Sequence, residues 1–122
     1  MGEPGCGRPT FIASAEMTDY ITDLRETVDR AAEQLLEVSE EAAAVRPSPG
    51  HWSAKEVVGH LIDSAAHNHQ RFVRAQWQES LVFAGYEQDA WVAAQRYGDA
   101  PWVELVVLWR ASRPRPDVAF FP

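Results

Sequence analysis

At 122 residues the chain has room for one domain, and its 46% hydrophobic content supports a buried core and excludes global disorder. A net charge of −7 excludes phosphate-backbone binding as a main activity, because nucleic-acid binders need clustered Lys and Arg. No apolar run approaches the ~20 residues that span a bilayer, so no membrane partner is expected either.

Residues 1–16 read as a flexible lead-in. The run Met1 to Pro9 is rich in Gly and Pro and has no apolar h-region, so it is not a signal peptide. Its Cys6 is the sole cysteine and has no internal disulfide partner, which fits a reducing cytoplasm. From about Thr18 to Val38, apolar Ile21, Leu24, Val28, Ala31, Ala32 and Leu35 recur at spacings of three and four and draw one helical stripe. Thr18 or Asp19 can cap this helix. A short acidic segment, Ser39 to Ala44, allows one or two helical turns.

Pro47, Pro49 and Gly50 then break the chain. The next stretch carries the strongest local signal. Ser53 at the N-cap and Glu56 at N3 form a capping box, with Trp52 and Val57 as its hydrophobic staple. The helix they start runs to about Trp77, with Val57, Val58, Leu61, Ile62, Ala65, Phe72 and Val73 expected on the buried side. Residues 79–85 connect it to a short helix over Glu87 to Arg96, with Gly98 as its C′ residue. Pro101 suits N1 of a last helix carrying Trp102, Leu105, Val106, Leu108 and Trp109. Trp77, Trp91, Trp102 and Trp109 sit in helical patterns and are expected in packing. Residues 113–122 form an irregular Pro/Arg-containing tail, and Arg110, Arg113 and Arg115 read as solvated charge. Without repeats or strand alternation, the class is all-α.

Four histidines, at 51, 60, 67 and 69, are the residues that could carry chemistry. At about 100° per residue, Glu56, His60, Asp63 and His67 share an arc of roughly 60°. Two imidazoles and a carboxylate on one face suit a divalent ion of the zinc or nickel type. The plainer alternative is a solvated polar face, since any amphipathic helix shows one. Glu56 already has a capping task, and His60 and His67 lie two turns apart, roughly 10 Å along the axis. His51 belongs to the loop, and His69 points toward the apolar side. Ser53 and Ser64 lack the elbow or oxyanion loop of a serine nucleophile. No Gly-rich phosphate loop and no cysteine-based zinc pattern is present.

The segment Pro49-Gly50-His51-Trp52-Ser53-Ala54-Lys55-Glu56-Val57-Val58-Gly59-His60-Leu61-Ile62-Asp63-Ser64 resembles the signature of the DinB-like superfamily, and within it the YfiT-like metal-dependent hydrolase branch. Arg71-Phe72, the connector Gly85-Tyr86-Glu87-Gln88-Asp89 and the run Leu108-Trp109-Arg110-Ala111 follow that branch in order and spacing. The resemblance spans about Met17 to Ala111. It implies an up-down four-helix bundle over residues 17–112 and a divalent metal held by three histidines. The first of these maps onto His60, and the other two come from a His-x3-His pair on a final helix. No histidine follows His69 here, so the resemblance implies a C-terminally truncated member whose final ligand helix is missing, with an open apolar groove. A truncated or frameshifted gene would produce such a chain.

Two readings follow. In the first, the chain is related to metal-dependent hydrolases or thiol-transferases acting on a small molecule. His60 is then the metal ligand, Asp63 a weaker ligand or an orienting carboxylate, and His67 a weaker ligand. In the second, it is a non-catalytic helical module that homodimerises through the open groove, or a truncated gene product.

Overall fold

The computed structural model describes residues 15–80, 82 and 85–114, with side chains from Asp19 onward. Most of the lead-in, with Cys6, and the tail from Arg115 to Pro122 lie outside the described residues. Five α-helices run in the order α1 (Ala15–Leu36), α2 (Glu40–Ala44), α3 (Ala54–Ala75), α4 (Gln88–Gln95) and α5 (Trp102–Ala111), with a 3-10 turn at Tyr97–Asp99. No strand occurs among the described residues, and the all-α expectation holds.

Helix α1 begins before Thr18, so Thr18 and Asp19 lie inside its first turns and do not cap it. It closes at Leu36 through tight bonds from Glu37 N to Gln34 O and from Val38 N to Leu35 O. Ile21, Val28 and Ala32 of the expected stripe are buried, whereas Leu24 is exposed. Helix α2 is the acidic segment. Ser39 caps it by accepting from Ala42 N, its two glutamates face the positive end of the dipole, and Ala43 is fully buried.

Helix α3 starts at the expected place. Ser53 Oγ accepts from Glu56 N at 3.3 Å, and Glu56 Oε1 accepts from Ser53 N at 3.1 Å, which completes the capping box. Val57, the expected staple partner, is 42% exposed. The Trp52 ring lies instead against His60, with centroids 5.2 Å apart. The orientation of the whole helix departs from expectation. Val58 is buried and Ile62 and Ala65 are half-buried, but Val57, Leu61, Phe72 and Val73 are exposed. The groups turned inward are Lys55, Glu56, Gly59 and Asp63. Burying charge is costly unless it is paired, and here Glu56 and Lys55 each meet an opposite charge, while Asp63 is held by hydrogen bonds to one oxygen. Glu56 takes a bidentate pair from Arg46 (2.6 and 3.0 Å), and Lys55 pairs with Glu40 while donating to Gly98 O.

Two expected boundaries shift by local geometry. Arg96, not Gly98, takes the left-handed conformation that ends α4 (φ 53°), and Gly98 sits within the 3-10 turn. Pro101 is the N-cap of α5 and not its first helical residue. The open N–H of Trp102 at this end donates to Glu40 of α2 at 2.8 Å. The Trp102 indole, 1% exposed, donates to Leu35 O at 2.8 Å and so satisfies a carbonyl at the end of α1. Trp109 is half-buried, but Trp77 and Trp91 are more exposed than their helical pattern implied.

Helix α5 packs against both α1 and α3. It runs antiparallel to α1: Leu35 meets Trp102, Asp29 meets Arg110, and Arg25 donates to Pro114 O. Arg110 and Arg113 both pair with Asp29, so they latch the end of α5 to α1 and are not a free solvated cluster. Helices α3 and α4 are also antiparallel, since Asp63 meets Gln95 and His67 meets Trp91. No described helix is long and apolar enough to cross a membrane.

Candidate metal-ligand site on α3

The four residues of the expected arc do face the bundle, but each goes to a different neighbour. Glu56 is held by Arg46 and Ser53. The Arg46 guanidinium, helped by the Ser53 amide, keeps its carboxyl below the ordinary glutamate range against the opposing effect of burial. Glu56 is thereby committed to the loop-to-helix junction.

Asp63, 3% exposed, is the centre of a buried hydrogen-bond network. Its Oδ1 accepts from Tyr97 OH at 2.7 Å and from Gln95 Nε2 at 2.6 Å. The Tyr97 hydroxyl also approaches Gln95 Oε1 at 2.9 Å, which ties the two donors together. Burial, and then the Asp63 carboxylate, push the Tyr97 phenol above its ordinary value, so it remains a proton donor at any physiological pH. Asp63 Oδ2 is buried and has no partner.

His67 is clasped by aromatic rings. It stacks on Tyr86 (3.9 Å, 27°) and meets Trp91 edge-on (4.4 Å, 72°), while its Nδ1 lies 3.0 Å from Asp63 O. Tyr86 is anchored in turn by a 2.9 Å contact between its hydroxyl and Ser64 Oγ. His51 is an exposed loop residue with Nδ1 2.5 Å from Ser48 Oγ, and His69 is exposed.

His60 differs from all of these. It is half-buried beside Trp52, and its Nδ1 is buried with no hydrogen-bond partner. Buried polar nitrogens are rarely left unpaired, and such an atom calls for an explanation, a bound ion or water among them. No three His, Cys, Asp or Glu side chains among the described residues converge as a metal cluster. The described residues of a single chain bring no donor set together around His60.

Sequence reasoning missed Tyr97, Gln95 and Arg46 as members of this region. One signal was available: Gly59, in the middle of a strong helical pattern, costs about 1 kcal/mol relative to Ala, which points to a close approach at that position. The structure shows the approach, because a β-carbon on Gly59 would overlap the Tyr97 ring. Beside Gln95, a shallow, open hollow of about 500 Å³ runs along Ala90, Trp91, Ala94 and Gln95 of α4.

No curated protein and no solved structure matches the chain. The sequence model of the DinB superfamily matches residues 20–116, which include every helix after the first turn of α1 and all the side chains described above. The chain belongs to the DinB superfamily.

Proposed function

We propose that this DinB-superfamily chain is related to the metal-dependent hydrolases or thiol-transferases of the YfiT-like branch, with His60 as its ligand to a zinc- or nickel-type divalent ion and a small molecule as substrate. The observation that supports this reading is the half-buried His60 ring beside Trp52, whose buried Nδ1 lacks a partner among the described residues and calls for an ion or an acceptor that would orient the ring. Asp63 and His67 are weaker ligand candidates in the same reading, since one is held by Tyr97 and Gln95 and the other by Tyr86 and Trp91. A catalytic metal takes about three protein ligands, so the remaining donors come from outside the described residues of one chain, a second copy being the simplest source.

Calorimetric titration of the purified chain and of His60→Ala with nickel and zinc tests the reading. Saturable binding that disappears in the variant is the expected result, and one ion per two chains would identify ligands shared between copies. Identical isotherms for the two proteins would remove His60 from any metal site.

A second reading rests on a different observation. Val57 and Leu61, one turn apart, form an exposed apolar strip on α3. Such a face suits a non-catalytic module that pairs with a copy of itself, and it predicts self-association that metal does not affect.

A further inference from the structure

Two buried polar atoms on α3 lack partners among the described residues, and they lie three residues apart: Nδ1 of His60 and Oδ2 of Asp63. Residues three apart on a helix are neighbours, with β-carbons about 5–6 Å from each other. One atom can carry a hydrogen and the other accepts only, so the two are chemically complementary. The rest of Asp63 is not free to move. Tyr97 OH and Gln95 Nε2 both donate to Oδ1 at 2.7 and 2.6 Å, and the Tyr97 ring is seated against the bare α-carbon of Gly59. Charge-assisted bonds of this length are the strong class, and two on one oxygen fix the plane of the carboxylate.

We propose that Tyr97 and Gln95 are positioning residues for His60, acting through Asp63: they hold the carboxylate by Oδ1 so that Oδ2 accepts from the Nδ1–H of His60 through one bound water, since the two atoms do not bond directly. The His60 ring is then fixed in the Nδ1–H tautomer, and Nε2 keeps the lone pair available to an electrophile such as a divalent cation. A carboxylate set behind an imidazole in this way fixes its tautomer and the orientation of the ring. Gly59 belongs to the same device, since any side chain there would displace Tyr97 from Asp63. The inference rests on the reading of His60 as a donor, but its test needs no metal.

The test is 15N NMR of the histidine side chains in the metal-free chain at pH about 8.5, where imidazole is neutral. The shifts of the two ring nitrogens report which one carries the proton. In the wild-type chain His60 is expected as the Nδ1–H form. Tyr97→Phe keeps the ring over Gly59 and removes only the hydroxyl, while Asp63→Asn removes the carboxylate. Each should move the His60 equilibrium toward Nε2–H by about tenfold, the ratio set by a hydrogen bond of about 1.4 kcal/mol, and leave His51 and His69 unchanged. Gln95→Leu, at an exposed position, should give a smaller shift of the same sign and serves if Tyr97→Phe does not fold. An Nε2–H form in the wild type overturns the proposal. So does a response to Asp63→Asn without one to Tyr97→Phe or Gln95→Leu, because Asp63 would then orient the ring unaided. A failed metal titration beside an intact Nδ1–H form would remove the metal reading and leave the positioning network standing.

Discussion

The Tyr97 ring occupies the space that a β-carbon on Gly59 would need, so the two residues lock the turn after α4 onto the middle of α3. Gly59→Ala should therefore destabilise the fold by about 1–3 kcal/mol through overpacking, even though Ala is favoured over Gly in an unconstrained helix by about 1 kcal/mol. Urea unfolding followed by circular dichroism measures the change. A variant as stable as the wild type would mean that Tyr97 can leave Gly59 at no cost.

Trp102 fills the junction of α1, α2 and α5 and donates to Leu35 O from a fully buried position. Trp102→Ala should cost about 3–5 kcal/mol by leaving a large cavity. Trp102→Phe should cost less, about 1–2 kcal/mol, because it keeps most of the apolar volume and removes one of two donors to the Leu35 carbonyl, which still accepts from Val38 N. Chemical denaturation of the two variants side by side separates packing from hydrogen bonding.

The carboxyls of Glu56 and Glu40 both lie below their ordinary range in the folded chain, held by Arg46 and by Lys55 respectively. A depressed folded value means that the stability these groups contribute is present above the unfolded value, near pH 4.3, and is lost as the pH falls through the folded value. Unfolding midpoints should thus drop steadily on acidification below about pH 4.5. Glu56→Gln should be less stable at pH 7 and show a flatter acid limb. An acid limb unchanged by Glu56→Gln would show that other carboxylates set it.

Leu61 lies one turn from Val57 on the exposed apolar strip of α3 and is 39% exposed. If that face joins two copies, sedimentation should show a dimer that Leu61→Lys converts to monomer while leaving the helical content intact. A wild-type monomer at high concentration would count against the self-pairing module.

The sequence exposed the helices better than it exposed their orientation. The capping box at Ser53 and Glu56 is a local device, set by side chains three residues apart, and it appears in the structure as read. The buried face of α3 is not local. A pattern rule sends Leu61 and Phe72 inward and Asp63 outward, yet Asp63 is buried because Tyr97 and Gln95, more than thirty residues away, satisfy it. The same holds for Lys55, whose partners come from α2 and from the turn before α5. The shared arc of Glu56, His60, Asp63 and His67 was legible from spacing. Which of them kept a buried atom without a partner among the described residues, His60 at Nδ1 and Asp63 at Oδ2, was not, because that depends on which neighbours the fold brings to each.

The most direct test of His60 as the metal ligand is zinc titration of the histidine-labelled chain, followed at the ring nitrogens of all four histidines. The account predicts that the His60 nitrogens respond first and saturate, with His51 and His69 silent until a large excess of zinc. A His60 signal that stays fixed while another histidine responds, or while none does, would contradict it.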